Sequence, residues 1–295
     1  MRKVTVVADM FLKEFSGTPR PPGGAELHDQ VVVDRLSSEG ILDECINSFD
    51  LTPEMILSKK GNVFFIGNFF ELRPDSKAVL YSNCDYVIYE HDYKFCKNRN
   101  PIHFANFKVP NWMLTNTNFY RQAKKVITLS KMHREIFEKN LNLEHNLTNI
   151  NCSMWSDKHL DILSTRAKTE KTKPCAIIES SKHNAHIKRT DMAIDFCKQN
   201  NLKYEIISDP NYENFLNKLS HFETLIFMTG HPEPTPRLVM EAKMMNCKIV
   251  AQKHLIGVAH EDYFELSGQE LIEKVRQMRD TALNDVILPE VGYEV

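Results

Sequence analysis

Long apolar stretches are missing from this chain of 295 residues: no run approaches the roughly 20 that a membrane-spanning helix needs, and the opening Val4-Thr5-Val6-Val7-Ala8 stops at Asp9. A secretory signal would need a longer apolar stretch and a small-residue cleavage site, so a cytoplasmic protein without a transmembrane segment is expected. Paired cysteines are missing as well. The seven cysteines, at 45, 84, 96, 152, 175, 197 and 247, are odd in number and never spaced Cys-x-x-Cys. That argues against a disulfide framework or a zinc site and for reduced thiols. Asn146-Leu-Thr and Asn151-Cys-Ser fit the glycan acceptor pattern, but without a secretory signal they are chance matches. Charge is nearly balanced, 37 Lys+Arg against 39 Asp+Glu, with 42% hydrophobic and 26% charged residues. A disordered polyelectrolyte and a globally basic nucleic-acid coat are therefore excluded. No repeat of 20 to 50 residues and no low-complexity tract is present.

What is present is alternation. Short apolar runs at 4–8, 63–67, 86–90, 125–129, 176–179, 203–207, 224–228 and 248–251 read as strands. Amphipathic stretches at 25–37, 131–140, 189–199, 212–219, 236–245 and 269–282 read as helices. Strands alternating with helices predict an α/β fold with parallel sheets. Residues 164–174, Ser-Thr-Arg-Ala-Lys-Thr-Glu-Lys-Thr-Lys-Pro, carry no aromatic or large aliphatic side chain and end in a proline before a strand, the mark of a linker. Two Rossmann-like domains, 1–165 and 166–295, with a cleft between them are expected.

The segment richest in chemistry runs from Thr229 to Val250. A buried strand ends in the loop Gly-His-Pro-Glu233-Pro-Thr-Pro236, and Pro236 occupies a first helical position from which Leu238, Val239, Ala242 and Met245 turn inward. Glu233 and Glu241 are separated by seven residues. They place two carboxylates near a helix N-terminus at the carboxyl edge of a parallel sheet. That edge is where open α/β sheets bind ligands, and helix N-termini there offer N–H groups to phosphates. Carboxylates accept paired hydrogen bonds from sugar diols. Phosphate and diol together describe a nucleotide sugar.

This segment resembles the retaining glycosyltransferases of the GT-B fold (group 1, family 4-like), whose C-terminal domain carries a Glu, seven residues and a second Glu before a helix. The resemblance gives Glu233 contacts to the donor sugar's hydroxyls and Glu241 contacts to the ribose diol. Where many members have a glycine before the helix, this chain has Pro236-Arg237, which removes an amide donor and adds a guanidinium. Three further segments match. Pro21-Pro-Gly23-Gly24-Ala-Glu-Leu-His28 resembles the family's Gly-Gly-Ala-Glu loop, where glycines let the backbone approach a ligand and helix amides add a positive dipole end. Tyr86-Val-Ile-Tyr-Glu-His91-Asp92 ends a buried strand where the family places a histidine against the donor sugar. The second domain opens on 175–194, in which Lys188 aligns with the family's diphosphate-binding lysine and Lys182 approximates its arginine with one residue inserted, the glycines being absent.

The resemblance thus implies catalytic roles for Glu233 and His91, and donor binding by Gly23, Gly24, Lys182, Lys188, Arg237, Leu238 and Glu241. The donor, a UDP-sugar, is a substrate; no cofactor and no metal are implied. No Asp-x-Asp pair of the other glycosyltransferase fold occurs, nor Gly-x-Gly-x-x-Gly, Gly-x-x-x-x-Gly-Lys-Ser/Thr or Gly-x-Ser-x-Gly, and the histidines lack metal-ligand spacing.

The acceptor is open to three readings. From Tyr93 to Lys139 there are ten Lys/Arg and two acids, a local +8, interleaved with Tyr93, Phe95, Phe104, Phe107, Trp112, Phe119 and Tyr120. Cations suit phosphates and aromatics stack on bases, which points to an anionic acceptor such as DNA. The compact length, Glu-His-Asp and Glu-Pro-Thr-Pro-Arg also look like short bacteriophage-type members, some relatives of which glycosylate hydroxymethylated bases. A lipid-linked or lipopolysaccharide sugar would use the same charge and bring the protein to a membrane surface. A solvated basic face over core aromatics is the plain structural reading, and a non-catalytic nucleotide-sugar- or DNA-binding module on the same fold is the third functional one.

Overall fold

The computed structural model describes residues 2–16, 22–143, 145–180 and 185–293. Among them ten strands form two parallel sheets, each in its own compact unit. The first unit takes in the described residues up to Met154 and returns for 278–293; the second is 155–277.

In the first unit β1 (Val4–Ala8), β2 (Leu42–Asn47), β3 (Val63–Ile66), β4 (Asp85–Tyr89), β5 (Lys125–Thr128) and β6 (Leu147–Asn149) lie in the order β2-β1-β3-β4-β5-β6. Their residues divide by the two-residue period of a strand. Val7, Phe64, Ile66, Tyr86, Ile88 and Val126 pack on one face with Ile56, Leu80, Ile136 and Phe137 from three helices. Val4, Val6, Ala8, Val63, Phe65, Val87, Tyr89 and Ile127 pack on the other with Val31, Val32 and Leu36 of helix Gly24–Ser38. Strands buried on both faces are what near-continuous apolar runs require.

In the second unit β7 (Lys173–Ile178), β8 (Tyr204–Ile207), β9 (Phe222–Phe227) and β10 (Lys248–Ala251) lie in the order β10-β9-β7-β8. In each sheet the chain winds outward from the first strand and then reverses. The reversal, between β1 and β3 in one unit and between β7 and β9 in the other, is where loops part and an α/β sheet opens for a ligand.

Two expectations are corrected. The division at 165/166 falls instead at 154/155, because 164–174 is no linker: helix Asp157–Arg166 runs through its start and β7 takes up its end. The stretch up to 295 is not all in the second unit: the expected helix 269–282 is present as Gly268–Thr281, and the chain passes into the first unit at 277/278. Helix Gly268–Thr281 passes into a π-helical stretch, Ala282–Ile287, and a last turn, Leu288–Glu290. Ala282, Leu283, Ile287, Leu288 and Val291 close the second face of the first sheet, so this segment belongs to the first unit by its apolar contacts. Lys124 adds a hydrogen bond from Nζ to the Glu290 carbonyl at 2.6 Å. Ile287→Ala is expected to destabilise the first unit by about 2–4 kcal/mol, as buried large-to-small changes do, read as a lower urea midpoint.

Candidate functional site

In the second unit the loops after β7 and β9 meet at the sheet's reversal. Gly230, just beyond β9, donates its N–H to the Ile187 carbonyl at 2.7 Å. A Cβ on Gly230 would lie 2.0 Å from the His186 carbonyl oxygen, so the approach requires glycine. Three residues on, the Glu233 backbone is fixed from the other side: its N–H donates to Leu255 and its carbonyl accepts from Gly257, each at 2.8 Å. Its carboxylate receives Lys188 Nζ at 2.7 Å, with His231 Nε2 at 3.9 Å. Burial pushes the Glu233 carboxyl up, but Lys188 and then His231 outweigh it and hold the group below the usual carboxylate range. The result is an ionised carboxylate beside an ammonium. A carboxylate can accept from hydroxyls and an ammonium can meet a phosphate.

Glu241 has a different setting. Helix Arg237–Met244 starts one residue later than its sequence suggests, with Pro236 as N-cap. Glu241 therefore lies on its second turn, facing inward at 3% exposure. Its Oε1 accepts from Trp155 Nε1 at 2.9 Å and Tyr212 Oη at 2.5 Å, and pairs with Arg237 Nε at 3.3 Å. Burial, with Glu241 adding to it, pushes the Tyr212 hydroxyl well above its usual range, so it remains a donor. The Arg237 guanidinium lies 4.5 Å from the Trp155 ring centroid, a cation–π contact. Leu238 follows half-buried in the first turn, where backbone N–H groups have no intrahelical acceptor.

Glu233 and Lys188 are thus brought together at the edge, Glu241 and Arg237 are brought together behind it, and Lys182 lies outside the described residues. Trp155 and Tyr212 carried no sequence signal as partners of Glu241. The one available sign was Trp155 itself, one of two tryptophans in the chain.

In the first unit Gly23 is the N-cap and Gly24 the first residue of helix Gly24–Ser38. The Glu26 carboxylate folds back toward this turn, 2.7 Å from where a Gly23 Cβ would stand, and burial raises its pKa, with Asp29 adding to the effect. His91 follows β4. Its Nε2 meets Asp29 Oδ1 at 2.8 Å, and its ring contacts Tyr89 and His28 at centroid distances of 4.8 and 5.5 Å. Asp29 is the residue the sequence reading missed: 62 positions from His91, it belongs to no motif.

The basic aromatic stretch is mostly core. Tyr93, Phe95, Phe119 and Tyr120 are buried and Phe104 and Phe107 pack against them, leaving Trp112 exposed at 69%. Lys94 pairs with Glu90 and Asp92, Arg99 with Asp92, Arg134 with Glu138, and Lys124 and Lys125 with Glu290. The expectation of aromatics free for base stacking is corrected accordingly, because these rings fill the space beneath one sheet face.

No family model matches this sequence, and no curated protein sequence does. Among solved structures the fold is similar to sucrose-phosphate synthase from Thermosynechococcus elongatus, at 10% identity over 85% of this chain and 81% of that one, with a TM-score of 0.55. The likeness is one of fold. It matches the two parallel-sheet α/β units expected of GT-B. HepE from Anabaena, in complex with UDP and glucose, superposes with a TM-score of 0.49 at 14% identity over 99% of this chain and 92% of that one. An alpha-glucosyltransferase in complex with UDP and a 13-mer DNA containing a HMU base gives 0.46 at 9% identity over 98% and 93%.

Two outcomes follow from the geometry. Glu241→Ala leaves the Arg237 guanidinium buried beside an empty space and should cost the second unit about 3 kcal/mol; Glu233→Ala, at a part-exposed edge, should cost about 1 kcal/mol or less. Urea unfolding of both variants measures the contrast. In the first unit, burial pushes His133 down to about 3, while the unfolded residue titrates near 6.5. The unfolded chain then binds one more proton below pH 6.5, so stability falls with pH by about 1.4 kcal/mol per unit from this group. His133→Gln should flatten the wild-type slope of unfolding free energy between pH 6 and pH 5 by that amount.

Proposed function

We propose that the chain is a glycosyltransferase that takes a sugar from a nucleotide-sugar donor held by the second unit. The observation that carries this reading is the Glu233–Lys188 pair at the reversal of the second sheet, the place where such sheets receive ligands. Glu233 accepts hydrogen bonds from the sugar's hydroxyls. Lys188 meets the diphosphate and stabilises the charge that develops on it as the glycosidic bond breaks. Leu238, at the start of the following helix, adds a backbone N–H to the phosphate side. Glu241, fixed by Trp155 and Tyr212, anchors the helix whose first turn carries Leu238, and lies on the ribose side of the donor. For His91, at the carboxyl edge of the first sheet, the family resemblance implies a contact to the donor sugar.

Transfer with retention and without a metal ion is part of the same reading, carried by the resemblance of the Glu-x7-Glu segment. So is an anionic acceptor, for which the exposed Lys97, Arg121 and Lys139 and the exposed Trp112 speak. Fold alone does not fix chemistry, so the test is direct. Release of nucleoside diphosphate is measured with a panel of donors, UDP-glucose first. Hydroxymethylated DNA, a glycolipid and a free sugar phosphate serve as acceptors, with and without chelator. Turnover that survives chelator, gives a product of the donor's anomeric configuration and falls about 100-fold or more in Glu233→Gln is the expected result. Full turnover by a folded Glu233→Gln variant would remove the assignment; tight nucleotide-sugar binding without turnover would make the protein a binding module.

A further inference from the structure

Resting on the proposed transfer, we infer that Asp29 is a positioning residue that holds His91 in one tautomer, with Nδ1 presented as a hydrogen-bond acceptor. Asp29 sits on the second turn of helix Gly24–Ser38 and is 2% exposed. Its carboxylate lies against Gly67, immediately after β3. A Cβ there would stand 2.4 Å from Oδ2 and 2.6 Å from Oδ1 and Cγ. The carboxylate therefore occupies the space a side chain would fill, and from that space it reaches the next strand's end.

A carboxylate oxygen accepts and does not donate. The 2.8 Å contact between Oδ1 and His91 Nε2 is then an Nε2–H bond, and the neutral ring carries its lone pair on Nδ1. The ring is held on its other sides by Tyr89, at 4.8 Å and 73°, and by His28, at 5.5 Å and 72°, and is 8% exposed. The other Asp29 oxygen, Oδ2, has no hydrogen-bond partner among the described residues. A buried acceptor left without a donor is costly, and an apolar side chain would avoid that cost. What the carboxylate alone supplies is the fixed polarity of His91. An imidazole so oriented accepts a proton or a hydrogen bond from a hydroxyl at Nδ1 and favours a positive charge on the ring as it does so, the same logic by which a buried carboxylate orients a general-base histidine elsewhere.

Ring 15N shifts of His91 at neutral pH read the tautomer without any turnover. The wild-type protein should show the Nε2–H form. Asp29→Asn, whose amide can donate to Nε2, should shift the ring to the Nδ1–H form. In transfer assays the same variant should lose 10- to 100-fold in kcat while the donor KM stays within about threefold, with an unchanged circular dichroism spectrum. Gly67→Ala, which displaces the carboxylate without altering either partner, should reproduce the kinetic loss. A wild-type His91 in the Nδ1–H form, or an Asp29→Asn variant that keeps both the Nε2–H form and full kcat, would overturn the inference. If the tautomer shifts as stated but no donor is ever consumed, Asp29 still positions His91 and the proposed transfer is what fails.

Discussion

A single buried carboxylate organises the loop that follows β4. Glu90, fully buried, accepts the backbone N–H groups of His91 at 3.1 Å and Asp92 at 3.0 Å, the Lys94 ammonium and the Tyr120 hydroxyl. Its own N–H donates to Ile127 on the neighbouring β5. A strand that ended in an apolar residue would send the chain on in any of several directions. One that ends in a buried carboxylate must wrap its next residues around that charge, since an uncompensated buried carboxylate is far costlier than the turn it imposes. Lys94 and Arg99 likewise keep Asp92 well below the usual carboxylate range in spite of its burial. The Asp92 carbonyl accepts from His133 Nε2 at 2.8 Å, tying the loop to the helix beyond β5. His91 is aimed by this arrangement before Asp29 touches it.

Much of this fold was legible because parallel strands buried on both faces are written as apolar runs. β1 and β10 begin and end where the sequence places them, and six more strands lie within three residues of expectation at either end. The two strands that escaped, Leu42–Asn47 and Leu147–Asn149, are the outermost strands of the first sheet. An edge strand is covered on fewer sides, and Asp43, Glu44, Asn47 and Asn149 need no apolar pattern. The C-terminal helix was legible as a helix. Its apolar stripe said that it must be covered, and nothing local said by which sheet. The linker failed for a related reason: a polar stretch can be the exposed side of a helix end and a strand start as readily as a hinge.

The two glutamates show how far a spacing carries. Seven intervening residues put both near one helix start, and both are there. Their surroundings were not in the spacing. Glu233 stands in a loop pinned between Gly230 and Gly257 with an ammonium against it. Glu241 is held by an indole and a phenol that come from Trp155 and Tyr212, 86 and 29 positions away. One carboxylate keeps capacity at the sheet edge; the other has two hydrogen bonds and a guanidinium on one oxygen and works through the helix it anchors. Residues of the same type at a motif's two ends thus divide the work between contact and support.

The same construction recurs in the two units. In each, the segment that follows the first strand returns to meet a glycine just past the strand on the far side of the sheet's reversal. Asp29 lies against Gly67 after β3, and the His186 carbonyl lies against Gly230 after β9. In each, the glycine's missing side chain is the space that lets a polar group cross the reversal: Asp29 to His91 in one sheet, Lys188 to Glu233 in the other. A Cβ at either position would push the crossing group back by an ångström or more, and a hydrogen bond of 2.7 to 2.8 Å does not survive such a retreat. The sheets would still form, since none of these atoms belongs to a strand ladder. The pairs would not, which separates what the apolar pattern specifies from what two glycines permit.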